Sequence, residues 1–196
     1  MSTWRNLEEL LAEIRRCRIC EEHLPLGPRP VLRAGRDARI LIVGQAPGTK
    51  VHASGVPWDD PSGDRLRDWL GTDKETFYDQ NKVAIIPMGF CYPGRLPKGG
   101  DQPPRPECAP TWHPDLLALL PNIELTVLAG AYGQKRFLGK ARGKNLTETV
   151  RAWRDHGPRI IPLPHPSWRT VGWQKRNPWF DVEVLPELRR RVRELL

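Results

Sequence analysis

Four short apolar runs, each closed by a turn, constrain the fold more than any other feature of this chain. The first is Arg39-Ile40-Leu41-Ile42-Val43, and Gly44-Gln45-Ala46-Pro47-Gly48 follows it at once. A run too short for a helix and apolar at nearly every position has the character of a strand covered on both faces. Val83 to Pro87, Leu125 to Ala129 and Arg159 to Leu163 repeat the pattern. Helical periodicity lies around and between them. In Leu7 to Arg16, the side chains of Leu7, Leu10, Leu11 and Ile14 share one face, and Gly63 to Leu70, Trp112 to Leu120 and Leu146 to Trp153 are further helical segments. Asn145 and Glu148 are spaced to cap the last of these reciprocally. A final helix is expected after Pro178 and through Glu194, bent near Pro186. Pro25, Gly27, Pro28 and Pro30 make Leu24 to Arg33 a constrained connector. Alternating strands and helices imply a three-layer α/β architecture, and a chain of this length needs only one domain, residues 1–196.

Charge and hydropathy narrow the setting. The chain has 31 Lys and Arg against 23 Asp and Glu, a formal net charge of +8. A basic face for a polyphosphate backbone is one reading of that excess, and simple solubility is the other. Arg189, Arg190, Arg191 and Arg193 read as a solvated helix face. No apolar run is long enough to span a membrane, and Met1 to Leu10 is polar. The expected location is therefore the cytoplasm or nucleoid, with no membrane partner.

The chain's four cysteines are Cys17, Cys20, Cys91 and Cys108. A two-residue gap places the thiols of the first pair on one side of a turn, and folding can carry the other two to them. Four converging thiolates suit an iron-sulfur cluster or zinc, between which spacing does not choose. Disulfides and unconnected thiols are the alternatives.

Two turns at strand ends carry the candidate chemistry. Gly44 to Gly48 can bring backbone amides, with Gly44, Gln45 and Ala46, close to a polar substrate, and it lacks the Lys and Ser/Thr of a nucleotide-triphosphate loop. In Leu163-Pro164-His165-Pro166-Ser167-Trp168-Arg169, prolines restrict His165 on both sides. His165 can stabilise charge on a leaving group, while Ser167, Trp168 and Arg169 are placed to meet DNA. Between the two turns, Trp58 can stack on a flat heterocycle, and Asp59 or Asp60 can position water or cap the following helix. Asp64 suits local pairing with Arg. His52 is a secondary pocket candidate, and His113-Pro114-Asp115 reads as structural. Tyr132, Gln134, Lys135 and Arg136 fit a DNA-facing loop or a solvated short helix.

Taken in order, Cys17/Cys20, Gly44 to Gly48, Gly55-Val56-Pro57-Trp58, Cys91/Cys108 and His165-Pro166-Ser167 resemble the uracil-DNA glycosylase superfamily, especially its bacterial four-cysteine branch. The resemblance implies a central four-stranded parallel sheet, excision of a flipped uracil from single- or double-stranded DNA with no obligatory protein partner, and a structural [4Fe-4S] cluster on Cys17, Cys20, Cys91 and Cys108, with zinc as the alternative. Gln45 stands where the four-cysteine branch commonly carries Glu, and Ala46 where the best-known uracil-specific branch carries Asp. On this pattern His165, Gln45, Asp59 and Asp60 are the catalytic candidates, and Gly44, Ala46, Trp58, Ser167, Trp168 and Arg169 hold the substrate. The expected activity is that of a monofunctional glycosylase in base excision repair. A non-catalytic damaged-DNA-binding protein and a glycosylase for deaminated purines are the alternatives.

Overall fold

A computed structural model describes residues 4–196. Met1 to Thr3, part of the single-domain expectation, lie outside the described residues. In chain order the main elements are α1 (Leu7–Arg15), β1 (Ile40–Val43), α2 (Thr49–Ser54), α3 (Pro61–Leu70), α4 (Lys74–Tyr78), β2 (Val83–Ile85), α5 (Cys108–Ala118), β3 (Leu125–Ala129), α6 (Ala131–Leu138), α7 (Leu146–Arg151), β4 (Ile160–Leu163), α8 (Thr170–Arg176) and α9 (Leu185–Leu195).

The strands form one sheet in the order β2-β1-β3-β4, with every neighbouring pair parallel. Ile40 is level with Val83 on one side and Leu125 on the other, and Thr126 is level with Ile160. Because successive side chains on a strand point to opposite faces, the sheet feeds two cores. Ile40, Ile42, Ile85, Val127 and Ile161 pack with Leu66 and Trp69 of α3, Val150 of α7 and Leu188 of α9. Leu41, Val43, Ala84, Ile86 and Leu128 pack with Leu10 and Ile14 of α1 and with Trp112 and Leu116 of α5. Burial on both faces is why the runs carry no polar alternation, and the result is a three-layer α/β fold.

Helix ends depart from the periodic pattern where backbone chemistry decides. Helix α3 begins at Pro61, because the Asp60 carboxylate accepts a hydrogen bond from Gly63 N at 2.8 Å and proline fits the first turn. Helix α5 starts earlier than its apolar periodicity, at Cys108, and α7 gives way to a 3-10 turn at Trp153–His156. The Asn145 side chain accepts from Glu148 N, while the Glu148 carboxylate accepts from Lys144 N and from the Asn145 amide. The C-terminal segment opens with a π-helical turn, Phe180–Val184. Pro186 then lies in the first turn of α9, directly after the π-helical turn, so the helical pattern changes next to the proline, close to where the bend is expected.

The chain passes from β1 outward to β2, then returns across β1 to β3 and continues to β4. Connections therefore diverge between β1 and β3, and such a divergence leaves a crevice beyond the carboxyl ends of the strands.

Candidate functional site

A cavity of about 400 Å³ occupies this crevice. The turn after β1, the segment entering α3, the end of β2, the loop carrying Arg95 to Asp101 and the loop after β4 all contribute to its wall. Gly44, Gln45, Ala46, Trp58, Asp60, His165, Ser167, Trp168 and Arg169 line it together. Asp59 is not in the lining and instead lies 3.7 Å from the Lys74 ammonium.

Trp58 forms one wall, held there by the local chain. Its φ of 58° is in the left-handed region, a conformation that costs a bulky residue about 1–3 kcal/mol and persists only where its surroundings enforce it. The enforcing contacts are specific. Arg67 Nη1 donates to the Trp58 carbonyl at 3.2 Å, and the Tyr78 hydroxyl donates to the Pro57 carbonyl at 2.9 Å. Arg67 is itself buried, ion-paired with Asp64 at 2.5 Å and held over the rings of Phe77 and Tyr78. Gly44 lets the indole lie against the backbone, since a Cβ there would come within 2.8 Å of Trp58 Cζ2. Gly63 leaves room for the Trp58 carbonyl in the same way.

His165 faces the indole, with ring centroids 5.4 Å apart and planes inclined by 33°. It rests on Gly130 at the end of β3, where a Cβ would stand 3.4 Å from His165 Cβ and where φ is +101°. The His165 carbonyl accepts from Ser167 N at 2.8 Å and from the Thr170 hydroxyl, and Arg65 Nη1 donates to the Ser167 carbonyl at 3.0 Å. These bonds fix the loop, while the imidazole itself makes no hydrogen bond to a protein group among the described residues. Burial lowers the His165 pKa, an effect opposed in part by the Asp60 charge, so the ring is neutral at neutral pH.

At the rim, Trp168 is 77% exposed and the Arg169 guanidinium lies 5.5 Å from its ring centre. Gln45 donates from Nε2 to the Gln102 carbonyl at 3.0 Å, which ties the turn after β1 to the Arg95–Asp101 loop and leaves Oε1 as an acceptor. Arg95, Gly100 and Asp101 complete this side of the cavity. The residues alone carry no periodic or motif signal for them beyond the Gly99-Gly100 pair, both of which have positive φ.

The remaining candidates lie elsewhere. His52 is on α2, outside the cavity lining, with its ring 6.1 Å from that of Tyr92. His113 is buried in α5, where Nε2 donates to the Pro87 carbonyl at 3.0 Å and the ring stacks on Phe90. Asp115 accepts from Trp4 Nε1 at 2.9 Å. Tyr132, Gln134, Lys135 and Arg136 belong to α6, and Gln134 is buried with its amide donating to the Leu163 carbonyl at 2.8 Å.

The cysteine expectation requires correction. Cys17, Cys20, Cys91 and Cys108 border a common apolar cavity, but its free space is about 20 Å³, room for roughly one water. Cys108 Sγ accepts a hydrogen bond from Phe90 N at 3.3 Å, and burial pushes the Cys91 and Cys108 thiols up to about 11 and about 12. Among the described residues no group of three or more His, Cys, Asp or Glu side chains is arranged to hold a metal ion. Neither the [4Fe-4S] cluster nor zinc fits these four residues, and placement in the iron-sulfur branch falls with them.

Fold and site together define an α/β protein whose cleft at the carboxyl edge of a parallel sheet has an indole on one wall and an imidazole facing it. The family model of the Uracil DNA glycosylase superfamily matches residues 33–189, and the chain belongs to that superfamily. The match takes in all four strands and both site turns, while Cys17 and Cys20 precede it. Among the described residues no helix is long and apolar enough to cross a membrane.

Proposed function

We propose that the protein is a monofunctional glycosylase that hydrolyses the N-glycosidic bond of uracil in single- or double-stranded DNA. The observation that carries this reading is the pairing of Trp58 and His165 across one cavity, 5.4 Å between ring centres. A base cannot be reached inside a duplex, so the nucleotide must swing out, and an aromatic face repays part of the lost stacking. Trp58 supplies that face. His165, neutral and without a protein hydrogen-bond partner among the described residues, donates an N–H to a carbonyl oxygen of the base as negative charge builds there. Gln45 Oε1 and Asp60 help place the attacking water. Ser167 and Arg169 meet the phosphate backbone, and exposed Trp168 supports the distorted strand.

Incubation of the purified protein with uracil-containing single-stranded and duplex oligonucleotides, followed by alkaline cleavage at abasic sites, tests this reading. Cleaved product from uracil DNA is the expected result. Binding without base release overturns it in favour of a damage-binding protein, and release confined to hypoxanthine or xanthine overturns it in favour of a deaminated-purine enzyme.

A further inference from the structure

The turn after β1, Gly44-Gln45-Ala46-Pro47-Gly48, contains no carboxylate, so a base that activates water must come from elsewhere in the cavity wall. Three aspartates are near enough to consider. Asp59 points to Lys74 and does not line the cavity. Asp60 lines it, but one carboxylate oxygen is committed to Gly63 N as the cap of α3. Asp101 lines it as well, and its carboxylate has no hydrogen bond or ion pair among the described residues.

The position of Asp101 is built rather than incidental. Gly99 and Gly100 turn the chain with φ of +85° and +94°, and Arg95 and Asp101 form an isolated antiparallel bridge. Gln45 holds the next residue through the Gln102 carbonyl. A Cβ on Gly48 would lie 3.5 Å from Asp101 Oδ2, so the carboxylate stands against the very turn that lacks one. A Cβ on Gly100 would lie 2.6 Å from Arg169 Nη1, so the loop after β4 closes over the same segment.

We infer that Asp101 is the water-activating carboxylate of the base-release reaction. The inference rests on the excision reading above. The water oxygen forms a bond to the anomeric carbon of the sugar, the glycosidic C–N bond breaks, and its electron pair leaves on the base, next to His165. Asp101 accepts the proton from water and returns it to solvent, and the base takes up a proton from solvent. No oxidant, reductant or metal is needed. The charged groups facing Asp101 are Asp60 from the start of α3, Arg95 within its own loop and Arg169 from the loop after β4, and the neutral, titratable Tyr92 hydroxyl also faces it. Desolvation is the largest influence on its carboxyl and, with Asp60, raises its pKa against the opposing pull of Arg95 and Arg169. The basic form is thus lost on acidification earlier than for an ordinary aspartate.

The test is single-turnover release of uracil from a single-stranded oligonucleotide by the full chain, measured from acid to neutral pH for the wild type and for Asp101→Asn, Asp101→Ala and Asp101→Glu. DNA affinity and thermal unfolding are recorded alongside. We expect Asp101→Asn and Asp101→Ala to lose about 10²-fold in rate with affinity and melting unchanged, to lack the acid limb of the wild-type profile, and Asp101→Glu to restore that limb. Wild-type rate and pH profile in Asp101→Asn overturn the role of Asp101 alone. A wild type that releases no uracil overturns the excision reading and this inference with it.

Discussion

In the proposed reaction His165 and Trp58 meet the same base from different sides, so their replacements separate chemistry from capture. His165→Ala removes a donor directed at charge that develops only as the base leaves. Single-turnover uracil release should fall by about 10²–10³-fold, with affinity for undamaged DNA unchanged. An unaltered rate would remove His165 from the reaction. Trp58→Ala removes a stacking face of about 1–3 kcal/mol, so uracil-containing strands should bind about 5- to 150-fold more weakly in a competition assay. Equal affinity would show that the flipped base lies elsewhere. Their shared place in one cavity wall was legible because each stands at a backbone constraint: Pro164 and Pro166 bracket His165, and Trp58 follows Gly55-Val56-Pro57. Asp101 was not legible. Its place depends on the Gly99-Gly100 turn and a hydrogen bond from Gln45 to Gln102, which are tertiary facts without a sequence period.

At the scale of elements, the entry to α3 couples stability to the site. A Cβ on Gly63 would stand 2.6 Å from the Trp58 carbonyl carbon, a backbone atom that cannot rotate away. Gly63→Ala should therefore cost about 1–3 kcal/mol in denaturant unfolding and slow base release by displacing the indole. A variant of wild-type stability would show that this segment is softer than the contact implies. Helix α9 makes a separate prediction. Hydrogen bonds from Arg190 and Arg191, together with their charges, hold the Glu187 carboxyl down at about 2, against an ordinary 4.5. A carboxyl depressed by folding stabilises the native state above its unfolded pKa, and that stability is lost as pH falls from about 4.5 through about 2. Because these side chains are partly solvated, Glu187→Gln should cost only about 0.5–1 kcal/mol at neutral pH, with the difference from wild type vanishing in acid. A pH-independent difference would contradict this account. The strands and longer amphipathic helices were readable from periodicity, whereas α2, α4 and α8 were not, and for α6 a short helix was only one of two alternatives. Each is eight residues or shorter, and α6 owes its seat to Gly133 packing against Val43 of β1.

For the whole molecule, the formal charge of +8 matters as a field rather than as a set of pairs, because many of the arginines are already matched by nearby carboxylates. If the excess reaches the phosphate backbone, affinity for a single-stranded oligonucleotide should fall by about tenfold or more between low and physiological salt, with log affinity linear in log salt. A flat salt dependence would show that the charge serves another purpose. The global architecture was the most legible part of this chain, since four runs buried on both faces admit few arrangements other than a covered parallel sheet. The cysteines were the least legible, because spacing can bring thiols to one wall but does not set the space between them. The most direct measurement is a crystal structure of the His165→Ala protein with a uracil-containing single strand. We expect the uracil ring extruded into the cavity at the carboxyl edge of the sheet, its face on the Trp58 indole and a carbonyl oxygen turned toward the space left by the imidazole. A base bound on another surface, with the Trp58 face bare, would contradict this arrangement.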